Sequence, residues 1–347
     1  MTGDWRLACP ACGAALPPLP DGVAAAAGDA RPAARVAASL DCSGCGASWP
    51  RHDGIWRLLT ATDAERVAPF LAAYRTVRAA EGRASLAPAE RLALPYAWPP
   101  SPLAGQWRIR AASFRCLARR GLAGAPPGRL VDVGAGNGWL AWRLAVAGWS
   151  VLALDLDADA GDGLGAAAPY ALDLAARGLA PRLVRAVAHA DRLPLAAGAA
   201  DVVLFNASLH YAADPAAALD AAARTVADGG RIVVVDSPIY RRRASGERMV
   251  AERRAAYKAR YGWPSTDLGS REYLVAGEIE AALAPLGFAV RHHRPWAGWR
   301  WALRPWSARL RGRREPARFA VSVARRTAAG ASPARRGRPG EARGRMV

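Results

Sequence analysis

Four of the five cysteines fall in two copies of one pattern. CPACG at 9–13 and CSGCG at 42–46 make Cys9, Cys12, Cys42 and Cys45 a pair of C-x-x-C-G knuckles. Two residues between thiols let both sulfurs face one ion about 2.3 Å away, and the following glycine permits the turn that aims backbone N–H groups at sulfur. Four thiolates close the shell of a Zn²⁺ ion, so the pattern predicts a structural zinc site and not one that activates water. Four free thiols or two redox pairs are the competing readings of the same residues. A second constellation is VDVGAGNGWLA at 131–141, where Asp132 is followed by Gly134, Gly136 and Gly138 and, 23 residues after it, Asp155 ends an apolar run. Glycines at that spacing allow a tight turn and a close backbone approach at the N-terminus of a helix starting near Trp139. A carboxylate at Asp155 is suited to accept from two ribose hydroxyls.

The spacing D-x-G-x-G-x-G is not the G-x-G-x-x-G of dinucleotide sites, and the acidic Asp132 disfavours a phosphate while suiting an ammonium group. That combination fits S-adenosylmethionine (SAM), whose methionine part carries an ammonium and a cationic sulfonium. A third carboxylate, Asp191 in HADRLP (189–194), is placed to accept from an adenine amino group. The acidic stretch DLDADAGDG (155–163) lacks the spaced ligands and closing Glu of a calcium loop, so Asp157, Asp159 and Asp162 are expected to be solvated or to cap turns.

The elements that must carry these groups alternate. Apolar runs at 129–133, 149–155, 182–187, 201–206 and 231–236 are separated by Ala- and Leu-rich segments, which predicts a parallel sheet covered by helices, an α/β fold with ligands at the carboxyl ends of its strands. Residues 62–121 lean helical, interrupted by prolines at 88, 95, 99, 100 and 102.

Taken in order, VDVGAGNG, LALD, HADRLP, DVVLFNASLHY and DGGRIVVVD resemble the class I SAM-dependent methyltransferases, similar to the group of ubiquinone and menaquinone methyltransferases. Residues 9–59 resemble the small zinc ribbons found as activator subunits of methyltransferases and fused ahead of rRNA guanine methyltransferases, with Trp49 where a Tyr is usual. The resemblance implies a Rossmann-like sheet with an antiparallel last hairpin, placed at 287–292 and 298–304. It implies Gly134, Gly136 and Gly138 on the methionine side of SAM, Asp155 on the ribose and Asp191 near adenine. It also puts Asn206, Ser208, His210 and Tyr211 where the acceptor meets the methyl group, with His210 a candidate base and the others orienting hydrogen bonders; merely lining the SAM pocket is the alternative for His210 and Tyr211.

With 347 residues and 52% hydrophobic content the chain is globular, and the absence of an 18-residue uncharged apolar run argues against a membrane span. MTGDWRLACP lacks the order of a signal peptide, so a cytoplasmic location is expected. The net charge of +19 is uneven: residues 300–347 hold 14 Arg against Glu315 and Glu341, a surplus of 12. The expected organisation is a zinc ribbon at 1–60, a helical cap at 61–121, the methyltransferase domain at 122–305 and an Arg-rich extension at 306–347, disordered after 327. A small-molecule or lipid-like acceptor follows from the quinone-type resemblance. RNA is the alternative favoured by the ribbon and the Arg-rich end, and a non-catalytic SAM- or RNA-binding scaffold is the third reading.

Overall fold

The computed structural model describes residues 5–19, 38–96, 103–262 and 269–327. Each knuckle closes in the same way. The Cys9 N–H donates to Ala14 O at 2.7 Å and the Gly13 N–H to Cys9 O at 2.8 Å; Cys42 and Gly46 repeat the pair with Ala47 O and Cys42 O at 2.8 and 2.9 Å. The second knuckle joins β1 (Ser39–Asp41) to β2 (Ser48–His52), which turns back into β3 (Ile55–Arg57), all antiparallel. Three helices follow: α1 (Ala61–Ala80), started by Thr60, whose hydroxyl accepts from the Asp63 N–H; α2 (Pro88–Ala93); and α3 (Ala104–Cys116). Pro99, Pro100 and Pro102 of the expected crossing lie outside the described residues.

The alternating region then forms β4 (Arg129–Val133), α4 (Trp139–Val146), β5 (Ser150–Asp155), α5 (Ala168–Ala176), β6 (Leu183–Val187), β7 (Ala200–Asn206), α6 (Pro215–Thr225) and β8 (Val226–Val235). A two-stranded pair, β9 (Ile239–Tyr240) and β10 (Leu274–Val275), brackets α7 (Arg243–Tyr261). Then come α8 (Glu278–Leu283), β11 (Phe288–His293), α9 (Trp299–Ala302), α10 (Arg304–Leu310) and β12 (Val321–Arg326). The main sheet runs β1-β2-β3-β6-β5-β4-β7-β8-β12-β11. Strands β3 to β8 within it pair in parallel, and β12 is antiparallel to both β8 and β11.

Two consequences of this topology differ from the sequence expectation. The last hairpin is present, but its second strand is 321–326, not 298–304, which is helical. The sheet therefore reaches into the stretch expected to be an Arg-rich extension; residues 328–347, expected to be disordered, lie outside the described residues. The basic residues of β12 are accommodated at its end, where Arg325 donates to Ala123 O and Arg326 donates to Ala223 O and lies over the Phe288 ring. The ribbon is also not a separate bead: β3 adds in parallel to β6, and Trp5, Leu7, Leu40, Trp49 and Trp56 join the same buried cluster as Val131, Leu152 and Phe205.

Alternate residues of each central strand feed opposite faces. Val131, Leu152 and Val203 face the ribbon, α6 and α8, whereas Leu130, Val151 and Val202 face α3, α4 and α5. Burial on both faces explains the continuous Val and Leu runs, since neither side of the sheet meets water. Strand order reverses between β4 and β7, which opens a crevice at their carboxyl ends.

Candidate active site

A cleft of about 390 Å³ occupies that crevice. Its floor at one end is the turn after β4. There Gly134 takes φ +75°, and a Cβ in its place would collide with Ser208, whose hydroxyl donates to Val133 O at 2.5 Å. Gly138, at φ +80°, caps α4. The turn is held against the next strand by the Gly134 and Ala135 N–H groups on Leu154 O, and by the Gly136 N–H donating to Asp155 Oδ2 at 2.7 Å.

Asp155 lies in the cleft wall and also accepts from the Asp157 N–H at 2.9 Å. Burial pushes its carboxyl up to about 6; these two N–H groups oppose the shift, and Asp157 and Asp162 add to it. Asp132 is fully buried behind the glycine turn, outside the cleft wall, and neither of its oxygens has a hydrogen-bond partner among the described residues. Burial, with Asp155 nearby, pushes it up to about 7. Two carboxylates destabilised in this way, one of them orphaned, make a local field that a cation above the turn would relieve. The site residues thus fit a cationic ligand. Asp191 is placed differently from its neighbours: Ala188, His189 and Ala190 line the cleft, while the Asp191 carboxylate turns to His189 Nδ1 and lies 3.8 Å from Arg192.

The roof is α1, from far earlier in the chain. Phe70, Leu71, Tyr74 and Arg78 face the cleft. Arg75 reaches Asp157 at 2.6 Å and Arg78 reaches Asp162 at 2.6 Å, and Asp162 accepts from Asn137 of the glycine turn at 3.1 Å. Asp157 and Asp162 are therefore buried and ion-paired, a correction to the expectation that they are solvated; Asp157 and Asp159 do cap, accepting from the Asp159 N–H at 3.0 Å and the Gly161 N–H at 2.7 Å. Local sequence gave no sign of this because the partners are more than 80 residues away.

The same cleft also takes in Asn206, His210 and Tyr211, with Ser208 lying directly against the glycine turn. The His210 ring is buried against Tyr211, with centroids 4.2 Å apart, and its Nδ1 is 3.3 Å from Ser237 Oγ. Burial, followed by the charges of Arg253 and Arg110, pushes His210 down to about 3. It is neutral throughout the physiological range and a poor proton acceptor. Two further wall residues were not anticipated. Asp236 follows β8 with φ +54°, as does Ala207 after β7, and backbone held in this sparsely populated region clusters at functional sites. Its carboxyl accepts from Ser113 Oγ at 2.5 Å, and burial pushes it up to about 6 against that hydrogen bond and the Arg110 charge. Arg110 of α3 also lines the cleft, makes no ion pair or hydrogen bond among the described residues, and is pushed down to about 10 by burial and by Arg83 and Arg78. One signal for Asp236 was available: it closes the run RIVVVD as Asp155 closes LALD.

The four knuckle sulfurs form a separate cluster, all within 4.8 Å of one another, with Cys9 and Cys45 at 3.7 Å and Cys12 and Cys42 at 3.6 Å. Tetrahedral Zn–S bonds of about 2.3 Å place sulfurs roughly 3.8 Å apart, so the donor set fits zinc in kind and spacing. Against the effect of burial, N–H groups from Cys12 and Ala11 pull the Cys9 thiol down to about 7.

A family model described as a methyltransferase domain matches residues 106–293. No curated protein matches the chain. Among solved structures, the chain is similar to the YcgJ protein of Bacillus subtilis (14% identity, 63% of this chain and 99% of that one, TM-score 0.43). It is also similar to a SAM-dependent methyltransferase from Mesorhizobium loti (22% identity, 62% and 98%, TM-score 0.41) and to geranyl diphosphate C-methyltransferase from Streptomyces coelicolor A3(2) (17% identity, 66% and 86%, TM-score 0.42).

Proposed function

Since the chain belongs to the SAM-dependent methyltransferase family, we propose that it methylates a small-molecule or lipid-like acceptor held at the Asp236 end of the cleft. The observation that carries this reading is the continuity of the cleft. One cleft takes in the glycine turn, Asp155, Asn206, His210 and Asp236, walled by Phe70, Tyr74 and Trp107. A space with apolar walls and a few convergent polar groups suits a compact acceptor.

Bound SAM supplies an electrophilic methyl group on sulfur. In this proposal the turn of Gly134, Gly136 and Gly138 receives its methionine part, the buried Asp132 favours its positive charge, and Asp155 accepts from the ribose hydroxyls. His189, braced by Asp191, lies at the adenine end. The acceptor atom must be held about 3–3.5 Å from the methyl carbon in line with the departing sulfur. Asn206 and Tyr211 orient it, and neutral His210 accepts a hydrogen bond without taking a proton. Where the acceptor has a proton to lose, Asp236, with a carboxyl at about 6, is the better-matched base. Arg110, which makes no ion pair or hydrogen bond among the described residues, favours an acceptor with a negatively charged group. Zn²⁺ on Cys9, Cys12, Cys42 and Cys45 is assigned a structural role, fixing the sheet edge.

The test is incubation of the full chain with methyl-labelled SAM and a cell extract. Label in the solvent-extractable fraction supports the proposal. Label in RNase-sensitive material would replace it with RNA methylation, and SAM binding without any turnover would point to a scaffold.

A further inference from the structure

Five of the eight large hydrophobic side chains exposed among the described residues sit in one short stretch. Trp296, Trp299, Leu303, Trp306 and Leu310 are 58, 73, 55, 66 and 86% exposed. Their spacing alternates three and four residues, and main-chain bonds Leu303 N–H to Trp299 O, Ser307 N–H to Leu303 O and Arg311 N–H to Ser307 O carry the helical path through the α9–α10 junction. At 3.6 residues per turn, residues 299, 303, 306 and 310 fall within an arc of roughly 60°. The stripe faces solvent, the reverse of a helix packed on a core.

Its flanks are wholly basic. Residues 294–314 contain seven Arg and no Asp or Glu. Arg294, Arg300, Arg309, Arg311 and Arg313 are exposed and make no ion pair among the described residues. The inward side is tied to the cleft instead: Trp301 packs on Phe319 with centroids 5.8 Å apart, Arg304 donates to Ala317 O at 3.1 Å, and Phe319 is itself a cleft wall.

We propose that residues 294–314 dock the protein on an anionic phospholipid bilayer, lying in the plane of the interface with the Trp and Leu side chains inserted and the arginines among the headgroups. Charge complementarity selects this occupant. Tryptophan is favoured at headgroup depth, and an apolar stripe bordered by unpaired arginines gains both from burial and from anionic lipid. The surface adjoins the Phe319 side of the cleft, so docking would hold that wall close to the lipid phase. The inference does not depend on the identity of the acceptor.

The experiment is co-sedimentation of the full-length protein with vesicles of phosphatidylcholine alone or with about 30 mol% phosphatidylglycerol. The variant combines Trp299→Ser, Trp306→Ser and Leu310→Ser, all at exposed positions, with retained SAM affinity reporting its fold. Wild type is expected to bind the phosphatidylglycerol vesicles and to be released by salt, and the variant to lose on the order of a hundredfold in partitioning. Equal binding by the variant would overturn the proposal by assigning attraction to the remaining basic chain, as would equal binding to neutral vesicles. Binding to an RNA oligonucleotide without vesicle binding would overturn it too. So would a dimer, lost in the variant, that leaves vesicles untouched.

Discussion

Replacing Asp132 by Asn removes a charge that the fold buries without a hydrogen-bond partner, and the consequences can be worked out in sign and size. The carboxyl stands at about 7 against an ordinary value of 3.8, so its ionised form costs the folded state about 4 kcal/mol. Between those two values the folded state holds a proton that the unfolded chain has released. The stability that this group confers is therefore lost as pH rises through the window, and the loss is complete above about 7. Asparagine keeps the shape but leaves an amide without partners, which costs roughly 1–3 kcal/mol at every pH. Without SAM, the variant should be more stable than wild type at pH 8 by about 1–3 kcal/mol, an advantage that shrinks by roughly 3 kcal/mol on going to pH 5. The same substitution should weaken SAM by roughly tenfold or more, because a charge matched to a cation is gone. Urea denaturation of the zinc-loaded protein from pH 5 to pH 8, paired with calorimetric SAM titrations, measures both. A stability difference that does not change with pH would refute the account of Asp132, and unchanged SAM affinity would refute its role toward the cofactor.

Other outcomes follow from the same geometry. Asp236→Asn should lower turnover by about 10²-fold or more for an acceptor that loses a proton, and abolish the rise of rate through pH about 6, whereas His210→Asn should keep that rise; steady-state pH profiles separate the two. Arg78→Met strips a buried carboxylate, Asp162, of its ion pair and frees the roof from the glycine turn, so SAM dissociation should be faster by roughly tenfold in stopped-flow displacement. Purified protein should hold one zinc per chain by elemental analysis. Because β3 extends the main sheet and the ribbon shares its core, chelation or Cys42→Ser should lower the melting temperature of the whole protein and not of the N-terminal segment alone.

Much of the donor end was legible because its chemistry is local. Knuckles, glycine turn and strand-closing Asp155 each depend on residues within one turn of chain, where covalent geometry and spacing suffice. The last strand was misplaced because composition misled: GWRWALR has the aromatic content of a strand, yet its exposed residues recur at three and four, while VSVARR hides a buried strand between two arginines and a basic stretch. Strand pairing is settled by partners about 90 residues distant in β8, which no local pattern reports.

The sequence by itself determined that there would be a parallel sheet, a glycine turn backed by an acidic residue, a four-cysteine cluster and a cleft at the strand ends. Only the tertiary structure decided which charged groups share that cleft and in what state. Asp157 and Asp162 became ion pairs when α1 folded over them, Asp236 and Arg110 met across 126 residues of chain, and burial brought the Asp236 carboxyl to about 6 and His210 to about 3. The physical reason is that spacing along a chain governs turns and periodicity, whereas desolvation and charge pairing depend on what is packed alongside, and that exists only once the chain is folded.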